Sequence, residues 1–391
     1  MMMKFALFIL FSSFVLNQTL RIDLGNGIVI NPLDLSVLML VIVNFTVNKS
    51  LRIKNIPTFI YPLFIFIAIG SIGLIINPWL DPLQKIASFL YALRLLLYIL
   101  LFIQLYTKMR ERDFVKDLMF FTGGVITFLG FFQYFFYPNL RNLYYLGWDD
   151  HLYRLFSTFL DPNFAGAYFA LFCLYCLWRY LGENIILKKI MYASVGLSSV
   201  IALFLTYSRT GMIMLIVGIV VYLSFYKKLK ILFFALISLI VLFFIFAGDL
   251  EGLNPLRSAS VIARLDSLQN AFIIFLYNPV IGIGFNAYRY AQIYYGFRGG
   301  DLSLTSHADA GSDNSYLFVA ATTGVIGLFL FFSFLKRIIE SLLDLPRELK
   351  AISLSTLASI LAGSIFTNIL FYTPLLLWLF LVLSVTRLKK S

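Results

Sequence analysis

Charge is scarce in this chain. Asp, Glu, Lys and Arg make up 13% of its 391 residues, where a soluble domain carries about a quarter. No polar stretch is long enough to hold a soluble domain. Apolar residues reach 61% and aromatics 18%, an excess that a globular core cannot bury, so the solvent of this chain is lipid. Histidine is nearly absent, with only His151 and His307. Few groups are therefore available for proton transfer near neutral pH. Cysteine is equally rare. Cys173 and Cys176 share one apolar run, FAGAYFALFCLYCLW, and a redox C-x-x-C needs a soluble strand–helix setting. They read as packing residues. The acidic side chains form no set at metal-ligand spacing. Asp149–Asp150–His151 is too weak a cluster to propose a metal, and no cofactor is expected.

What is abundant is long apolar runs. They fall at roughly 3–18, 32–48, 57–76, 85–106, 115–137, 164–182, 189–207, 210–226, 230–247, 315–335, 350–369 and 372–387. The pattern predicts one all-α, polytopic transmembrane domain over 1–391 with about 12 spans. The first run lacks a small-x-small cleavage site and reads as a retained span. The net charge of +12 is an orientation signal rather than a nucleic-acid one. Most Lys and Arg fall in alternate short loops, with both termini on that side, so both termini are expected in the cytoplasm. The opposite, outer face has two long loops, 138–163 and 248–314. Its cations are nearly all arginine: Arg141, Arg154, Arg209, Arg257, Arg264, Arg289 and Arg298. These oppose the topology trend. Arginine holds phosphate with a planar fork and keeps its charge. Within 248–314, SASVIARLDSLQNAFIIFL carries apolar residues at helical spacing, an amphipathic helix for the outer interface.

Individual residues have ordinary and functional readings. Arg209, in TYSRTGMIM, snorkels at a helix end or faces a cavity. Arg264 is either a basic residue of an interfacial helix or a ligand-contacting group. Asp161 and Asn163 serve as caps of the helix after Arg154. Arg94, in mid-span, pairs within the bundle or marks a functional site. His307 sits where a polar stretch meets an apolar span. It is a solvated loop residue or a base for a hydroxyl, with Asp309 or Asp313 to orient it.

Four motifs then occur in order: RLFSTFLDPNFAGAY, TYSRTG, IARLDSLQNAF with NPVIGIGF, and SHADAGSDNSYLFVAATTGVIGL. From about Arg94 to Leu328 the chain resembles the O-antigen ligase and polymerase family of bacterial membrane glycosyltransferases. The resemblance implies a GT-C-like fold with a large periplasmic loop. It also implies an inverting, metal-independent transfer of a glycan from undecaprenyl diphosphate to a sugar hydroxyl. The acceptor is lipid A–core for a ligase, or a second lipid-linked repeat for an O-antigen or exopolysaccharide polymerase. Arg209 and Arg264 match the diphosphate-contacting arginines, and His307 the acceptor-activating histidine. Arg154, Arg94, Arg289 and Asn314 are the expected substrate-binding residues. Six residues separate His307 from Asn314, which ligases usually have adjacent, so ligase and polymerase both stay open. The expected location is the bacterial inner membrane, with the active site on the periplasmic face. A lipid-linked glycan flippase is the more remote alternative.

Overall fold

The computed structural model describes residues 2–24, 28–48, 56–141, 143, 148, 151–226, 258–299 and 310–387. The apolar run 230–247 and the expected base His307 lie outside these residues, as do Asp149, Asp150, Arg257 and Asp309.

The described chain is built of helices. In order they are α1 (Met2–Leu16), α2 (Pro32–Asn48), α3 (Tyr61–Ile76), α4 (Pro82–Lys108), α5 (Arg112–Phe136), α6 (Pro162–Gly182), α7 (Ile186–Leu205) and α8 (Arg209–Ser224). After them come α9 (Ser258–Tyr277), the short α10 (Tyr288–Tyr294), α11 (Ser315–Leu343), α12 (Arg347–Gly363) and α13 (Thr373–Thr386). The exception is a small hairpin between α1 and α2. Its strands β1 (Ile22–Asp23) and β2 (Val29–Ile30) pair antiparallel, with Asp23 opposite Val29. Seven described helical stretches are long and apolar enough to cross a membrane: Met2–Leu20, Thr58–Ile76 and those of α4, α5, α6, α7 and α11. Shorter apolar helices occur at Pro32–Thr46, Arg209–Ser224 and Thr373–Thr386. This is a polytopic membrane protein.

Which helices are central follows from composition. α6 buries residues on every face, including Tyr168, Phe169, Phe172, Tyr175 and Cys176, as expected of a helix that is apolar all round. The Tyr168 ring lies near Phe14 of α1, Phe159 and Trp378 of α13. Cys176 is buried and Cys173 half-buried in the same helix. Peripheral helices instead turn large apolar side chains outward. Phe121, Phe128 and Phe135 of α5 and Leu197 and Ile201 of α7 are exposed, a surface that suits hydrocarbon and not water.

α11 is broken. Gly324 has φ 64° and ψ −167° inside an otherwise helical run. The break frees backbone groups that must be satisfied in lipid. The turn at Pro279–Gly284 supplies the partners. The amides of Ile283 and Gly284 donate to the carbonyls of Ala321 and Thr322, each at 3.0 Å, and the Val325 amide donates to Pro279 O at 2.8 Å. On its other side the turn meets α3, where the Phe285 amide donates to Gly70 O at 3.0 Å and Asn77 Nδ2 donates to Ile283 O at 2.7 Å. The Pro-x-x-Gly-x-Gly segment is thus a wedge between α3 and α11.

Candidate active site

Alternating helix direction brings one set of helix ends together. There they enclose a cavity of about 600 Å³. Its walls come from the chain after α1, the middle of α4, the loop before α6 and its start, the α7–α8 turn, α9, α10, the start of α11 and the α12–α13 connection. The cationic residues at the other ends of these helices, among them Lys108, Lys116, Arg179, Lys336 and Arg387, do not line it.

Seven arginines line the cavity: Arg21, Arg94, Arg154, Arg209, Arg264, Arg289 and Arg298. Two aspartates, Asp161 and Asp313, accompany them. The lining residues include no lysine. Five sequence-selected arginines, Arg94, Arg154, Arg209, Arg264 and Arg289, are therefore brought to one space although they span almost 200 positions. Asn314 is placed differently. Its Oδ1 accepts from the amides of Tyr316 and Leu317, both at 2.9 Å, and its Nδ2 donates to Ile365 O at 3.0 Å. It caps α11 and ties that helix to the end of α12, beside the cavity rather than lining it. Residues 310–313, the described neighbours of His307 in sequence, do line it.

Local structure fixes these side chains. Arg209 is the first residue of α8, whose cap Ser208 accepts from the Gly211 amide at 3.2 Å. The turn before it is held close to α6, because a Cβ on Gly211 would stand 2.7 Å from the Gly166 carbonyl carbon. No side chain larger than hydrogen fits there. Arg154 Nε donates to Thr206 O at 2.9 Å, linking the 138–163 loop to the α7–α8 turn. Leu160, Tyr207 and Asn286, all lining the cavity, have φ of 55°, 53° and 58°. Left-handed backbone at such residues is held by its surroundings and clusters at functional sites.

The Arg154 loop is also clamped from below. Gln133, buried in α5, accepts from the amides of Phe156 (2.8 Å) and Ser157 (3.1 Å). It donates to Tyr137 O (2.9 Å) and Arg154 O (3.3 Å). Gln133→Leu strands buried amides and carbonyls, each of which costs about 1–3 kcal/mol. Its expected signature is a lower melting temperature in detergent, because the Arg154 loop loses its anchor to α5.

The electrostatics are uneven. Asp161 caps α6, its Oδ1 accepting from the Asn163 amide at 2.6 Å. Burial raises its pKa, against the pull of its backbone hydrogen bonds and of Arg154 and Arg264. Burial likewise raises Asp313, with Arg264 opposing and Asp161 reinforcing the rise. The charge of Arg264 thus acts on two carboxylates that burial makes unwilling to ionise. Tyr207 is pushed up to about 12, chiefly by burial. A raised carboxylate pKa means that the folded state binds its proton more tightly than the unfolded chain. Stability is then lost as pH rises from about 4, the unfolded value, through the folded one. Asp313→Asn removes this term. At pH 7 the variant should melt above the wild type, and the gap should close as pH falls towards 4. An unchanged or lower melting temperature at pH 7 would contradict the assignment.

Sequence reasoning missed Arg21, Gln133 and the partner of Arg94. Arg94 Nη2 lies 2.8 Å from Asp34 Oδ2 and donates to Val29 O at 2.8 Å. The pair is separated by 60 positions, and no local spacing announces it. Among the described residues no group of His, Cys, Asp and Glu is arranged to hold a metal ion.

Residues 192–332 match the family model described as O-antigen ligase. The matched region contains Arg209, Arg264, Arg289, the Pro279–Gly284 turn and Gly324, and it supports assignment to the O-antigen ligase and polymerase family. No curated protein matches the chain.

Proposed function

We propose that this chain, from its O-antigen ligase-type region, is a membrane glycosyltransferase that moves a glycan from undecaprenyl diphosphate to a sugar hydroxyl. The observation that carries this reading is the cavity lined by seven arginines and no lysine. Cleaving a glycosyl–diphosphate bond leaves charge on the departing phosphate. Fixed guanidinium forks in a partly dry site stabilise that charge as it develops.

In this mechanism the acceptor oxygen attacks the anomeric carbon from the face opposite the diphosphate. The carbon–oxygen bond to phosphate breaks, undecaprenyl diphosphate leaves, and the configuration inverts. Arg209 and Arg264 hold the diphosphate. Arg154, Arg94 and Arg289 contact the substrates, and Asn314 sets the start of α11 beside them. His307 takes the hydroxyl proton, a role that rests on the family's motif order. The reading includes a GT-C-like fold with about 12 spans, counting 230–247. It places the protein in the bacterial inner membrane, both termini in the cytoplasm and the cavity on the periplasmic side. The cationic opposite end of the bundle supports that orientation.

The apolar surface of α9 fits a lipid donor. Leu265, Phe272 and Leu276 are exposed, while Arg264 and Ser267 of the same helix line the cavity. A diphosphate head at Arg264 would leave its lipid tail beside that surface.

The test is to incubate purified protein with an undecaprenyl-diphosphate-linked oligosaccharide, with and without lipid A–core, and to separate the products on a gel. A ladder formed without added acceptor identifies a polymerase. A single shift that requires the core identifies a ligase. Either product should form in EDTA, because the arginines carry the phosphate charge. An unconsumed donor in both tubes contradicts the transferase reading and favours a flippase.

A further inference from the structure

Besides its arginines the cavity has a neutral wall that phosphate chemistry leaves unused. The connection between α12 and α13 builds it, with Thr367, Asn368, Phe371 and Tyr372 lining the space. Contacts fix where this segment lies. Thr367 Oγ1 is 3.4 Å from Thr210 Oγ1, and Thr210 directly follows Arg209. Asn368 Oδ1 accepts from Ser315 Oγ at 3.1 Å, at the first residue of α11. A Cβ on Gly311 would stand 2.7 Å from Asn368 Nδ2, so the carboxamide lies against the strand of chain that leads into α11. That strand is tied in turn to α9, where the Asp313 amide donates to Ser267 Oγ at 3.0 Å, one turn after Arg264. Tyr372 stacks on Phe164 of α6 with ring centres 3.9 Å apart, which holds the connection in place. Thr367 and Asn368 thus bridge the helix start that carries Arg209 and the chain beside the helix that carries Arg264.

Asn368 is half-buried. Its Oδ1 is engaged by Ser315, while its Nδ2 makes no hydrogen bond to a described residue. Such a donor is satisfied while water reaches it. It becomes costly when a ligand displaces that water and offers no acceptor in its place. A site of this kind selects ligands that present an oxygen. A diphosphate held by Arg209 and Arg264 is bonded directly to the first sugar of the donor, so that ring lies beside the segment between them. We infer that Asn368 is a specificity-determining residue, whose Nδ2 donates to an oxygen on the donor sugar attached to the diphosphate. That oxygen is a ring hydroxyl or the carbonyl of an acetamido group. The inference rests on the transferase reading and adds to it a contact that chooses among donors.

Titration calorimetry of the full-length protein in detergent tests this without requiring turnover. The ligands are undecaprenyl diphosphate and its glucosyl, galactosyl and N-acetylglucosaminyl forms, with deoxy analogues of the first two at each hydroxyl. The wild type should bind at least one sugar-bearing form more tightly than undecaprenyl diphosphate alone. Removing the recognised oxygen should weaken that binding about tenfold. Asn368→Ala should weaken the intact ligand by a similar factor and become indifferent to that one deletion, because both changes remove the same hydrogen bond. Gly311→Ala, which crowds Nδ2 from the facing strand of chain, should reproduce the loss. Binding of undecaprenyl diphosphate alone should be unchanged in both variants, which a general loosening of the fold would not allow. Tightest binding of the N-acetylglucosaminyl form assigns the contact to the acetamido carbonyl, and tightest binding of a hexosyl form assigns it to a hydroxyl. A wild type that gains nothing from the sugar, or an Asn368→Ala protein that keeps the wild-type ranking, overturns the assignment. The two layers separate cleanly. A ranking that depends on Asn368 in a protein that never consumes donor keeps the contact and rejects the transferase. Turnover with a ranking untouched by Asn368→Ala does the reverse.

Discussion

Replacing Arg264 with alanine will cut transfer by about 10²–10³-fold or more, while the protein stays folded and inserted. The size follows from removing one preorganised charge from the position where negative charge grows. The fold should survive because Arg264 is half-buried on α9, a helix whose packing rests on Ala271 and Ile274 further along. Its loss removes a positive charge that acts on Asp161 and Asp313, but both already resist ionisation, so protonation relieves the repulsion. Arg264→Lys should recover part of the rate, since a point charge replaces a fork. Arg209→Ala belongs to the same class, because that side chain opens α8 on the same cavity. The measurement is the initial rate of product formation at saturating donor, with gel filtration as the control for folding. Wild-type turnover in Arg264→Ala would remove the diphosphate role.

The second large effect concerns the broken helix. Gly324→Val should abolish accumulation of folded protein. A Cβ at this position would stand 2.2 Å from the Val280 carbonyl oxygen, on a backbone with φ +64°. A β-branched residue is severely strained there, and the wedge formed by Pro279–Gly284 has no room to retreat between α3 and α11. Together these exceed about 4 kcal/mol, the range in which single substitutions unfold proteins. Gly182→Ala is the control, since nothing lies within 4 Å of its added Cβ. A monodisperse Gly324→Val protein with wild-type melting would mean that the turn does not lock the break.

The break also shows where sequence reading stops. Residues 315–335 read as one uninterrupted span because the run around Gly324 stays apolar overall, with Thr322 and Thr323 too small to break it. Glycine in a helical run is tolerated and carries no mark of a positive φ. Only the docking of a turn 40 positions earlier creates the interruption. The helices themselves were legible, since apolar runs of spanning length have few other uses. The arginines Arg154, Arg209, Arg264 and Arg289 were legible for a different reason: they oppose the charge asymmetry that orients the chain. Arg94 stood out because it interrupts an apolar run. Arg21, between the first two apolar runs, opposes the charge asymmetry in the same way and was passed over; only the fold brings it to the cavity that Arg94 lines. Gln133 was hidden, as its four hydrogen bonds are made to backbone across a loop. Asp161 was readable as a cap, which it is, but its second position at the cavity wall depends on the fold.

The central claim is that the diphosphate of a lipid-linked glycan sits among these arginines. A cryo-electron microscopy map of the purified protein with undecaprenyl diphosphate tests it most directly. The account predicts two phosphorus peaks within reach of Arg209 and Arg264, and a lipid tail leaving along α9. Density for the diphosphate at the opposite end of the bundle, or an empty arginine cavity at saturating ligand, would contradict it.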